Sequence, residues 1–68
     1  MMYKLECYWS GAAVYINPEE IIAARGLNNP AKNEYRTTLY MRGGEYLDVK
    51  LDVDKIINTR DHEIVEIK

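Results

Sequence analysis

Between Tyr35 and Val53 two runs of alternating residues flank a glycine pair, and no other stretch restricts the fold as strongly. Tyr35, Thr37, Leu39 and Met41 alternate with Arg36, Thr38, Tyr40 and Arg42, the period of a half-buried strand. After Gly43-Gly44 the alternation resumes, with Leu47, Val49, Leu51 and Val53 on one side and Tyr46, Asp48, Lys50 and Asp52 on the other. A two-residue turn at the glycines would set Leu39 opposite Asp48 and send one apolar set into water. A three-residue loop of Arg42, Gly43 and Gly44 restores the match. It predicts the pairs Leu39–Leu47, Thr37–Val49 and Tyr35–Leu51 on the core side, with Tyr40–Tyr46 and Thr38–Asp48 on the outer side. Gly44 then takes the left-handed position, which is free of steric cost without a Cβ.

The N-terminal segment reads as a second hairpin. Met2 to Trp9 places Tyr3, Leu5, Cys7 and Trp9 on one face, and Ala12, Val14 and Ile16 alternate after Ser10-Gly11. A two-residue turn there predicts Trp9 opposite Ala12, Cys7 opposite Val14 and Leu5 opposite Ile16, with Lys4, Glu6, Tyr8, Ala13 and Tyr15 on the other face. Asn17-Pro18-Glu19-Glu20 is a helix start: a capping side chain, a proline at the first position and acids at the positive end of the dipole. From Ile21 the residues allow either two helical turns stopped by Gly26 or one turn followed by a strand to Leu27. Asn28 to Glu34 is a loop by composition. Asp52 can cap a short helix from Val53 to Asn58, with Ile56 and Ile57 against the sheet, and Ile64, Val65 and Ile67 read as a last strand.

Sixty-eight residues form a single domain, 1–68, of the mainly β, small α+β class. The pattern predicts an antiparallel meander or an SH3-like, partly open barrel of about five strands, with one short helix near residues 53–59. A core this small supplies at most about 3–5 kcal/mol, and such chains lean on a disulfide, a metal or another subunit. The lone Cys7 excludes an internal disulfide and the single His62 gives no metal-ligand set, so a homo-oligomer with neither cofactor nor metal is expected. A net charge of −2 opposes a nucleic-acid partner, whose phosphates demand Lys and Arg. No apolar run approaches membrane-spanning length and no leader pattern opens the chain, so a reducing, cytoplasmic setting without a membrane partner is expected.

Taken together, the asparagine-acidic turn at Asn17 to Ile21, the strand with Thr38, Leu39 and Met41, the turn glycine Gly44, and the segment Val49, Lys50, Val53 and Ile56 resemble the small flagellar proteins of the FlbD or SwrD type. The resemblance covers roughly residues 10–58 without a gap. It implies a hydrophobic strand after Glu20 rather than a longer helix, and a flagellar accessory role. Leu51 stands where the family carries an acidic residue, and Ser10-Gly11 replaces a Leu-Asn-Gly turn. Many short bacterial and phage proteins share the layout, so it speaks to architecture before role.

Candidate chemistry is sparse. Cys7 and His62 could form a nucleophile and base, but Cys7 belongs to an apolar strand face, His62 lies between two acids, and no orienting third group can be named. No catalytic residue and no enzymatic activity are therefore expected. The acids at Glu19-Glu20 and Asp52-Asp54 sit where capping explains them, and calcium would require a denser run of oxygen ligands. Six Tyr and one Trp with no Phe suit surfaces that stay half wet. Tyr3 and Tyr35 read as ordinary strand residues. Arg36, Tyr40, Arg42 and Tyr46 share the outer face of the central hairpin, and Tyr8 and Tyr15 extend it if the two hairpins adjoin. This set predicts a self-associating, non-catalytic module that binds another protein. The alternative is a phage-type anti-defence protein that sequesters a small nucleotide signal, since arginine beside phenol rings can stack a base and hold a phosphate. A flat sheet face lacks the concavity of such a site, which subunit interfaces would then have to supply.

Overall fold

The computed structural model describes residues 2–57 and 64–66. Six strands make up two three-stranded sheets: β1 (Met2–Glu6), β2 (Ala13–Ile16), β3 (Ile21–Gly26), β4 (Thr37–Met41), β5 (Tyr46–Val49) and β6 (Ile64–Glu66), with one helix, α1 (Val53–Ile57), between β5 and β6. The sheets run β2-β1-β6 and β3-β4-β5. The protein is mainly β with one short helix, as its alternation pattern requires.

The central hairpin has the register that parity demands. Thr37 faces Val49, Thr38 faces Asp48, Leu39 faces Leu47 and Tyr40 faces Tyr46. Met41 N–H donates to Glu45 O across a loop of Arg42, Gly43 and Gly44, and Gly44 has φ +90. The expected Tyr35–Leu51 pair does not form. After Val49 the chain turns: Lys50 N–H donates to Glu6 O and Leu51 N–H to Val49 O. The Thr37 hydroxyl then takes the Leu51 carbonyl at 2.7 Å, in the interior, where a further ladder bond would have been.

In the first hairpin the register differs from expectation by two residues. Tyr3 faces Ile16, Lys4 faces Tyr15, Leu5 faces Val14 and Glu6 faces Ala13. A shift of two preserves parity, so the apolar residues stay on the core side. The cause lies at Cys7. Strand β1 ends at Glu6; Cys7 bridges Val49, and Tyr8 N–H donates to Asp48 O. The chain therefore leaves β2 early to join β5, and Gly11, at φ +74, closes the longer loop by donating to Cys7 O. Trp9, expected on the core face, is 69% exposed.

Asn17 caps a single 3-10 turn, Pro18–Glu20, accepting from Glu19 N–H at 3.0 Å. The chain then runs extended as β3, so the strand prevails over the longer helix between Ile21 and Gly26. Pairing with β4 supplies an antiparallel ladder, interrupted by a bulge between Ile21 and Ala23. The loop after β3 holds a second 3-10 turn, Pro30–Lys32, closed by a bridge between Asn29 and Glu34. Asp52 accepts from Asp54 N–H at the start of α1, which seats Val53 against Gly26 and buries Ile56. Residues 58 and 59 of the expected helix, the Ile57 side chain, His62 and Ile67 lie outside the described residues.

Strand β6 pairs parallel with β1 (Met2 with Ile64, Tyr3 with Val65), which a purely antiparallel meander would not contain. One core serves both sheets: Tyr3, Leu5 and Ile16 from the first, Leu39 and Val49 from the second, Leu51 from the segment after β5 and Ile56 from α1. Strand β1 sits at the junction. Its far edge carries β6 at Met2–Lys4 and reaches β5 through the isolated bridge at Cys7, which links the two sheets. No described helix is long and apolar enough to cross a membrane.

Candidate functional site

The Cys7–Val49 bridge decides which aromatic residues meet. Cys7 pairs on the core side, so Tyr8 falls beside Asp48 on the outer face of β5, and Trp9 follows it over that face. The Tyr8 and Trp9 rings meet edge to face, with centroids 4.9 Å apart. Arg36 lies against both, its guanidinium carbon 5.1 Å from the Tyr8 centroid and 5.3 Å from that of Trp9. Both distances are within cation–π range. Trp9 Nε1–H donates to Asp48 Oδ2 at 2.8 Å, and the Thr38 hydroxyl donates to Asp48 Oδ1 at 2.5 Å.

Asp48 is thus the anchor of the cluster. The Thr38 hydroxyl foremost, then the Trp9 indole N–H and the nearby Arg36 charge, hold its carboxyl below its ordinary value. Tyr40 and Tyr46 continue the same face toward the Gly43-Gly44 turn as a cross-strand pair, and Tyr46 is 70% exposed. The result is a band running Tyr46, Tyr40, Trp9, Tyr8 and Arg36, with one charged cation held over two rings.

Of the six residues expected at a binding surface, Tyr8, Arg36, Tyr40 and Tyr46 come together on this band. Arg42 does not join them. It lies in the turn beyond β4, where strand alternation no longer sets direction. Its guanidinium donates to Glu19 O at 3.1 Å and lies 3.6 Å from the Glu20 carboxylate. Tyr15 is exposed on β2, opposite Lys4, across β1 from the edge that meets β5. Two residues of the cluster, Trp9 and Asp48, were not anticipated. Trp9 read as a core residue because the strand was carried three residues too far; the adjacent Ser10-Gly11 and a second aromatic at Tyr8 were the available signs of a turn.

Concavity exists within the single chain. A cleft of about 650 Å³ opens between β1 and the segment Lys50–Lys55, and a smaller one of about 380 Å³ shares Asn33, Tyr35 and Lys50 with it. Cys7 is half-buried, and the Ser10 hydroxyl, with the Ser10 and Trp9 backbone N–H groups, holds its thiol below the usual value. Its proposed partner His62 lies outside the described residues. Among the described residues no three His, Cys, Asp or Glu side chains are grouped to hold a metal ion.

Neither the protein-family models nor the curated proteins nor the solved structures contain a match to the chain.

Proposed function

We propose that this protein is a non-catalytic interaction module that binds a protein partner through the outer face of β4 and β5 and associates with itself. The observation that carries the reading is the state of that face: Trp9, Tyr46 and Tyr40 are exposed on it while Arg36 is already stacked and oriented. Tyr, Trp and Arg are the residues that dominate protein-binding hot spots. Fixing them beforehand, through the Trp9–Asp48 bond and the Arg36 stack, lowers the ordering cost of association. A sheet face with exposed aromatic side chains suits a protein surface better than a small ligand, which requires enclosure.

Self-association has a suitable edge. Strand β3 is outermost in its sheet, its residues after Ile21 are exposed, and Ile22 is 60% exposed. Two copies aligned antiparallel with Ile22 against Ala23 also set Ile21 against Ala24 and Glu20 against Arg25. Apolar residues then meet at the centre and opposite charges meet at both ends.

Sedimentation velocity and affinity capture test the two halves separately. The wild-type chain should show a concentration-dependent shift from monomer to dimer that Arg25→Glu weakens by about tenfold. Trp9→Ala and Tyr46→Ala should keep the dimer while losing the captured partner, with the melting profile unchanged for Tyr46→Ala. A chain that stays monomeric at high micromolar concentration removes the self-association. Equal capture by wild type and Trp9→Ala removes the recognition face.

A further inference from the structure

Arg36 is positioned without being paired. Its guanidinium carbon lies 5.1 Å from the Tyr8 centroid and 5.3 Å from that of Trp9, and the residue is half-buried. A guanidinium resting on aromatic rings keeps its N–H groups, and that planar fork of donors matches a carboxylate. Among the described residues Arg36 makes no ion pair and no hydrogen bond through its guanidinium. Arg42 and Lys50 differ, with Glu20 at 3.6 Å from the one and Glu6 at 4.0 Å from the other.

Asp48, whose charge does reach Arg36, is already employed. Its Oδ2 accepts from Trp9 Nε1–H and its Oδ1 from the Thr38 hydroxyl, and it lies outside ion-pair distance of Arg36. Its work is to hold Trp9 in place rather than to neutralise the guanidinium. Along the same face Thr38 meets Asp48 and Tyr40 meets Tyr46, so the rings continue from Arg36 toward the glycine turn. Arg36 and Tyr40 are four residues apart in sequence. At about 3.3 Å per residue the extended chain separates them by roughly 13 Å. A second extended segment laid along this face would meet the cation at one end and the exposed rings of Trp9, Tyr40 and Tyr46 beyond it.

We infer that the partner of this face presents an extended acidic segment: an Asp or Glu carboxylate pairs with the Arg36 guanidinium, and an aliphatic or aromatic side chain about two to four residues along packs on Trp9, Tyr40 and Tyr46. The inference rests on the reading that the outer face of β4 and β5 binds a protein, and it adds the chemistry of what is bound. Rings on either side exclude water from the pair once the segment docks, which strengthens an ion pair that would be weak in open solvent. The chain's net charge of −2 disfavours acidic peptides in general, so binding of one reports the local pair.

The test is selection of a random linear peptide library on the immobilised full chain, followed by titration of the enriched peptides. Trp9 is the chain's single tryptophan, so its emission reports occupancy of the band. Enriched peptides should carry an Asp or Glu a few residues from an apolar side chain. Replacing that acid by its amide should weaken binding about tenfold or more, and Arg36→Gln should weaken the acidic peptide equally. The amide peptide should bind Arg36→Gln no worse than it binds wild type, since the lost pair is the same. Arg36→Lys should recover only part of the loss, because an ammonium lacks the fork. If Arg36→Gln does not fold, the acid-to-amide change decides the matter on the unaltered protein. Enriched peptides that perturb Trp9 but need no acid would overturn the acidic partner and leave the recognition face standing. A coupling below about twofold between the peptide acid and Arg36 would do the same. Selection of no peptide whose binding Trp9→Ala abolishes would remove the acidic partner and the face together.

Discussion

A phenol hydroxyl shut away from water needs a partner, and Tyr3 has none among the described residues although its side chain is only 1% exposed. The ring is what the core uses, packing with Leu5, Ile16 and Leu39. Tyr3→Phe should therefore be neutral or stabilising by up to about 1 kcal/mol in urea denaturation, since it removes a buried unpaired group and keeps the volume. A loss of stability beyond that size would mean that the hydroxyl is hydrogen-bonded in solution. Asp48 is the opposite case, a carboxylate with more than one donor. Its folded pKa lies below the unfolded value near 3.8, so its contribution is complete above that value and disappears as pH falls through the lower folded one. Asp48→Asn should lower the melting temperature at neutral pH. The gap from wild type should close below about pH 4, measured by circular dichroism melts in buffers of matched ionic strength.

At the level of elements, the two hairpins show what a turn can and cannot enforce. Gly44 sits at φ +90 with nothing near the position of a Cβ, so any cost of a side chain there comes from the backbone alone. Gly44→Ala should destabilise by about 1–2 kcal/mol. Gly43→Ala should cost well under that, because its Cβ meets only the end of the Glu45 side chain. Equal costs in equilibrium unfolding would contradict the three-residue loop. The first hairpin has no such lock. Its turn yields to the pull of Val49 on Cys7, and the register moves by the one step that leaves parity intact. Strand β3 likewise depends on its partner: beyond the capped turn at Asn17, two helix-compatible alanines are held extended by the ladder to β4.

For the whole molecule, the shared core is short for sixty-eight residues, and much of what it leaves outside is aromatic or apolar: Trp9, Tyr15, Ile22, Tyr40 and Tyr46. If the β3 edge pairs with a second copy, the native state is linked to its own concentration. The melting temperature should rise with protein concentration, and Arg25→Glu should flatten that rise without changing the dilute limit. A concentration-independent melt of the wild-type chain would place the needed stability inside the single subunit.

Sequence alone settled whatever rests on neighbouring residues. The alternation from Tyr35 to Val53 fixed the β class and the central register, Asn17-Pro18 fixed a turn, and Asp52 fixed the start of a helix, because parity, capping and a missing Cβ act locally. Only the tertiary structure could decide that β1 leaves β2 for β5 and that β6 runs parallel to β1. The Arg36–Tyr8–Trp9 stack and the cleft beside β1 follow from those choices. Each brings together segments distant in the chain, and no local spacing encodes which strand edge another will meet. That choice rests on how two small sheets can cover one core.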